Sequence, residues 1–107
     1  MSKNILSETE IQSELQTASL DGWKVVEGLL TVTYDTKDFA TGLRLVNLIG
    51  AAAEDADHHP DIVLTYPQVE VSLISHDVGG LTSRDVDMAK RTSELAEQEG
   101  VKAVRTD

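Results

Sequence analysis

The segment that most limits the possible folds begins near Asp35 to Asp38 and runs to about Asp57. Phe39, Leu43, Val46 and Ala53 recur at helical spacing along one stripe, and Leu45, Ile49 and Ala52 widen it. A helix apolar over so broad a face calls for a sheet to pack on. His58-His59-Pro60 ends it, because proline disfavours helical geometry in the residue before it.

The flanking segments can supply that sheet. Trp23 to Val26 and Leu29 to Tyr34 read as two strands joined by a tight Glu27-Gly28 turn. In the second of them Leu30, Val32 and Tyr34 alternate with Thr31 and Thr33, the period of a half-buried strand. A second pair is expected over Ile62 to Tyr66 and Val69 to His76, joined at Pro67-Gln68. There Val69, Val71 and Leu73 point one way, and Glu70, Ser72, Ile74 and His76 the other. Gly79-Gly80 makes the exit turn.

The two outer helices share one starting signal. Ser7 and Glu10 form a capping box, stapled by Leu6 and Ile11, and Ile11, Leu15 and Ala18 follow at helical spacing until Asp21-Gly22. Thr82 and Asp85 form the second box, stapled by Leu81 and Val86. Val86, Ala89, Ser93 and Ala96 share its face, and Gly100 stops it. On spacing alone Asp85 has a structural task, and its loss as a cap should cost about 1 kcal/mol. The order is α-ββ-α-ββ-α. Two hairpins without single-strand βαβ alternation predict an α+β fold, a four-stranded antiparallel sheet with helices packed on one face. A length of 107 residues fits one domain spanning 1–107.

Composition narrows the function. Hydrophobic residues are 40% of the chain and aromatics only 4%, so aliphatic side chains must fill the core. There is no cysteine, which excludes disulfides, thiolate zinc sites and a cysteine nucleophile, and suits a reducing cytosol. A formal net charge of −10 repels nucleic-acid phosphates and anionic lipid surfaces. No secretory signal is visible between Met1 and Glu10. The longest apolar stretch, near Leu43 to Ala53, is too short and too polar to span a bilayer. A cytoplasmic chain without nucleic-acid or membrane partners is expected.

Three histidines remain: His58, His59 and His76. With Glu54 and Asp57 nearby they suit general acid–base chemistry near neutral pH. Glu54 precedes His58 by four residues, so both can share a helical face. Other readings stay open. Histidines at a helix end are equally at home as surface residues facing the negative end of the dipole. Glu54, His58 and His76 could supply metal ligands, although no recognised ligand spacing is present, and no metal is expected. Trp23 and Tyr66 suit core or strand positions.

The run Glu54-Asp55-Ala56-Asp57-His58-His59-Pro60-Asp61 resembles the central motif of the pterin-4a-carbinolamine dehydratase family. The likeness continues through Tyr66, His76 and Gly80-Leu81-Thr82-Ser83-Arg84-Asp85. Gly22-Trp23 and Lys37-Asp38-Phe39 also look like the family, so the match spans about Gly22 to Leu95. Ile62-Val63 stands where many members carry aromatic residues, a change expected to alter the pocket wall.

The resemblance implies a four-stranded antiparallel sheet with helices on one face, and a dehydratase. Its substrate would be the 4a-hydroxytetrahydropterin left by a pterin-dependent aromatic amino acid hydroxylase. Its product would be the quinonoid dihydropterin, so that the enzyme recycles the pterin. It implies His58 and His76 as the catalytic acid–base pair and His59 as a residue that holds the pterin. Glu54, Asp57 and Asp85 would complete the binding set and orient or tune the histidines. No metal or redox cofactor is implied, and a homodimer or tetramer is. The alternative on this fold is a non-catalytic protein-binding partner, a dimerisation cofactor or assembly factor. Retention of all three histidines favours the enzyme.

Overall fold

A computed structural model describes residues 4–104; residues 1–3, part of the N-terminal stretch read above, and 105–107 lie outside the described residues. The order is α1 (Glu8–Thr17), β1 (Lys24–Val26), β2 (Leu29–Asp35), α2 (Phe39–Ala56), β3 (Asp61–Thr65), β4 (Gln68–Leu73), α3 (Ser83–Gln98) and β5 (Lys102–Ala103). This is the α+β arrangement expected from the sequence, with one short strand added at the end.

The sheet is antiparallel with spatial order β1-β2-β4-β3. The β1–β2 hairpin turns at Glu27 and Gly28, both at positive φ (51° and 80°), the backbone that matches the right-handed twist of a two-residue hairpin. The two hairpins join through β2 and β4, where Leu30 faces Leu73, Val32 faces Val71 and Tyr34 faces Val69. All six side chains are buried, so this register sets the centre of the core. β5 pairs with β2 at Tyr34 and Asp35. It covers the end of β2 that the three-residue β1 does not reach.

Both expected capping boxes form, at Ser7/Glu10 and at Thr82/Asp85. α2 starts on Asp38, whose carboxylate accepts the Thr41 N–H at 2.7 Å. That bond holds the Asp38 carboxyl below the usual carboxylate range. α2 ends on Asp57 in the left-handed region (φ 51°), with Asp57 N–H donating to the Glu54 carbonyl and His58 N–H to the Ala53 carbonyl. This paired closure is the Schellman type, with aspartate in the place glycine usually fills.

Two expectations need correcting. The core stripe of α2 is Gly42, Leu45, Ile49, Ala52 and Ala53, whereas Phe39 and Leu43 are about half exposed (48% and 46%). The apolar face is wider than the sheet beneath it. Gly42 fixes which edge goes in: a Cβ there would stand 2.7 Å from Leu64 Cδ1, so the helix approaches the sheet on that side. The second correction concerns His76. β4 ends at Leu73, and His76 lies beyond it in a turn closed by a bridge between Ser75 and Gly80. The Ser75 carbonyl accepts N–H groups from Val78, Gly79 and Gly80, which bends the chain where an extended strand was expected.

Candidate active site

His58 follows directly on the closure of α2, and that closure turns its ring toward the start of α3. Its Nε2 lies 2.6 Å from Asp85 Oδ1; the His58 side chain is 11% exposed and that of Asp85 is fully buried. The other carboxylate oxygen, Oδ2, accepts the Thr82 N–H at 2.9 Å and the Ser75 hydroxyl at 2.8 Å. The Ser75 hydroxyl proton is committed to Asp85. At the 2.9 Å contact between the two hydroxyls, Thr82 must therefore donate to Ser75. Thr82 Oγ1 in turn accepts from the Arg84 backbone N–H at 3.2 Å.

This network decides how His58 can act. With Asp85 accepting at both oxygens, Nε2 is assigned as the protonated ring nitrogen. Nδ1 is the atom left to exchange a proton with a ligand, and it makes no hydrogen bond to any other described residue. A carboxylate behind an imidazole also stabilises the imidazolium that forms when Nδ1 takes a proton.

His59 is placed differently. Its Nε2 meets Glu54 Oε2 at 2.6 Å, but both side chains are largely exposed. Such a pair adds little stability; its effect is to restrict the ring. His76 is exposed in the turn after β4, immediately after the buried Ser75 that donates to Asp85. Asp57 contributes through its backbone, as the left-handed cap that precedes His58. Asp85 is fully buried, and its carboxylate meets His58, Ser75 and the Thr82 N–H of the helix cap.

A groove of about 370 Å³ lies between the last turns of α2 and the first turns of α3. Ala52, Ala56 and Met88 give it apolar walls, the positive charge of Arg84 and Arg91 is matched by Asp55 and Asp87, and His58 is part of its lining. His59 and His76 are not among its lining residues. Trp23 is a core residue, donating from Nε1 to Ser93 Oγ at 2.8 Å, and Tyr66 stands 70% exposed at the tip of the β3–β4 hairpin. Among the described residues no three His, Asp or Glu side chains are grouped to hold a metal ion. Among them, too, no helix is long and apolar enough to cross a membrane.

Sequence reasoning missed Ser75 and Arg84. Ser75 had one available signal: a polar residue beside a candidate catalytic histidine, at a position where strand alternation would turn it toward the core.

The chain matches the profile of the family described as pterin 4 alpha carbinolamine dehydratase over residues 4–95. It is 45% identical over 92 residues to a candidate pterin-4-alpha-carbinolamine dehydratase of Koribacter versatilis, covering 84% of this chain and 98% of that one. A protein of the same description from Thermosynechococcus vestitus is 44% identical over 91 residues, covering 85% and 94%. Among solved structures, a transcriptional coactivator/pterin dehydratase from Brucella melitensis superposes with a TM-score of 0.80 at 34% identity, over 87% of this chain and 99% of that one. A profile matched along most of the sequence, relatives aligned nearly end to end and a shared fold together establish that the chain belongs to the pterin-4a-carbinolamine dehydratase family.

Proposed function

We propose that the protein is a 4a-hydroxytetrahydropterin dehydratase, a carbon–oxygen lyase that returns the spent cofactor of an aromatic amino acid hydroxylase to the quinonoid dihydropterin. The observation that carries this reading is the buried carboxylate behind His58. Asp85 holds the imidazole by Nε2 and leaves Nδ1 for proton transfer.

The reaction breaks the C4a–O bond, removes the proton from N5 and forms a C4a=N5 double bond, releasing water. Hydroxide is a poor leaving group, so one histidine delivers a proton to the 4a oxygen while a neutral base takes the N5 proton. Protons balance and no electrons leave the pterin, so neither a redox partner nor a metal is needed. His58 and His76 form the acid–base pair in this reading, with Nδ1 as the working atom of His58. His59, braced by Glu54, holds the pterin at the exposed side, and Asp57 and Asp85 set the direction of His58.

The assay is direct: 4a-hydroxytetrahydropterin is generated by a hydroxylase, and its decay to the quinonoid product is followed with and without the protein. Faster decay in proportion to protein concentration is expected. A decay rate equal to the spontaneous one would refute the enzymatic reading. It would favour a protein-binding role, for which the half-exposed Phe39 and Leu43 on α2 offer an apolar surface.

A further inference from the structure

We infer that Arg84 is a positioning residue for His76, acting through Asp77. The inference rests on the dehydratase reading for its effect on rate, but the contact itself can be tested without it.

His76 and Asp77 form the crest of the turn between β4 and α3. The base of that turn is pinned, since the Ser75 carbonyl accepts from Val78 at 3.2 Å and Gly79 at 2.9 Å, and the Ser75 hydroxyl is tied to Asp85. The crest is tied down from α3. Arg84 Nη2 lies 2.8 Å from Asp77 Oδ1, and Arg84 Nε donates to Thr82 Oγ1 at 3.4 Å. The guanidinium is therefore held at two points, on its own helix cap and on the residue next to His76. A planar fork suits this bridge; an ammonium on a flexible stem would not span both partners.

The consequence is geometric. Two successive residues in the first turn of α3 hold the two histidines of the proposed acid–base pair. Asp85 holds His58 directly, and Arg84 holds the turn that carries His76. Both rings are thus referenced to one helix end, and that end is itself fixed by the Thr82/Asp85 box. A proton donor and a proton acceptor serving two atoms of one ligand need this common frame, because small displacements at reacting atoms cost rate steeply.

Arg84 also lines the groove beside His58, so a direct contact with bound ligand is the competing role. Asp77 is not among the residues lining that groove, and this separates the two. The test is a cycle of Asp77→Asn, Arg84→Gln and the double variant, with Asp77→Glu as the conservative control. The pair is partly exposed, 24% for Arg84 and 45% for Asp77, so solvent screening limits its worth. Each single variant should lower kcat about two- to fivefold with KM nearly unchanged, a size set by the modest strength of exposed ion pairs. The double variant should be no worse than either single, because both remove the same contact. Asp77→Glu should keep most of the rate. In the ligand-free protein, amide hydrogen exchange should quicken at His76 to Gly79 in both single variants and stay unchanged along α3.

Exchange at the turn unaltered in both variants would overturn the clamp. So would a raised KM in Arg84→Gln beside a wild-type Asp77→Asn, or losses that simply multiply in the double variant. If the wild-type protein shows no dehydration at all, the dehydratase reading fails, and the exchange data still decide the clamp.

Discussion

Asp85 lies where stability and chemistry meet, and two substitutions at it should separate them. Asp85→Ala removes the second half of the α3 capping box, leaves the buried Thr82 N–H without its acceptor at 2.9 Å, and takes away the partner of His58 at 2.6 Å. A lost cap costs about 1 kcal/mol. That figure suits an exposed cap; here the same bond is buried, and leaving the Thr82 N–H unsatisfied costs about 1–3 kcal/mol. The Ser75 hydroxyl keeps Thr82 Oγ1 as a neighbour, so its loss is partial. The cost of that one bond, about 1–3 kcal/mol, reaches beyond what the capping pattern alone suggests, because the site is fully buried. For a chain of this size each kcal/mol moves Tm by about 4–8 °C, so a fall of roughly 5–20 °C is expected. Asp85→Asn behaves differently. Its amide oxygen can still accept the Thr82 N–H, so much of the stability should return. Its amide nitrogen then faces His58 Nε2 and donates to it, which moves the ring proton to Nδ1 and removes the neutral base from the working side. The asparagine variant should therefore melt several degrees above the alanine variant and yet lose about 10²–10⁴-fold in rate, the range for a misplaced acid–base group. Differential scanning calorimetry and the pterin decay assay, run on the same samples, read both. An asparagine variant with full activity would refute the role of Asp85 behind His58. A fully stable alanine variant would refute the burial argument.

His58→Ala and His76→Ala should each slow the catalysed reaction by about 10²–10⁴-fold, and an unchanged rate in either would remove that residue from the pair. No metal should be needed, since the carboxylates nearest His58 and His59 are already engaged by those rings; a stoichiometric transition metal in active protein, whose removal abolishes activity, would contradict this. A homodimer or a dimer of dimers is expected. β3 is an edge of the sheet with Val63 about half exposed, and Phe39 and Leu43 lie uncovered on α2; light scattering that finds only monomer at micromolar concentration would count against it.

The parts of this fold that could be read in the sequence are those decided within a few residues. The two capping boxes, the Glu27-Gly28 hairpin and the end of α2 at Asp57 each follow from local chemistry, and all four are present. What could not be read depends on what the chain meets elsewhere. Periodicity marks Phe39 and Leu43 as apolar but does not say where the sheet stops covering the helix; the close approach at Gly42 settles that. Lys102 and Ala103 have no pattern of their own, and become a strand only because Gly100, at φ 72°, turns the chain back toward the part of β2 that β1 leaves unpaired. The alternation of β4 extends on paper to His76, yet the carbonyl of Ser75 collects three N–H groups and turns the chain first.

The same division runs through the candidate site. Its histidines stand out in the sequence, and the family resemblance gives them roles, but their partners lie far off along the chain. Asp85 is 27 residues from His58, and its local spacing already explains it as a cap. That explanation is correct and incomplete. A carboxylate has two oxygens, and the cap uses one of them; Oδ2 takes Thr82 and Ser75, so Oδ1 is left pointing out of the helix start. The fold brings the end of α2 to that position and sets His58 there. One residue can thus serve the helix and the histidine at once because the two demands fall on different atoms. Asp85→Ala therefore removes both roles at once, whereas Asp85→Asn, which keeps an acceptor for the cap while reversing the bond to the ring, tells the two apart.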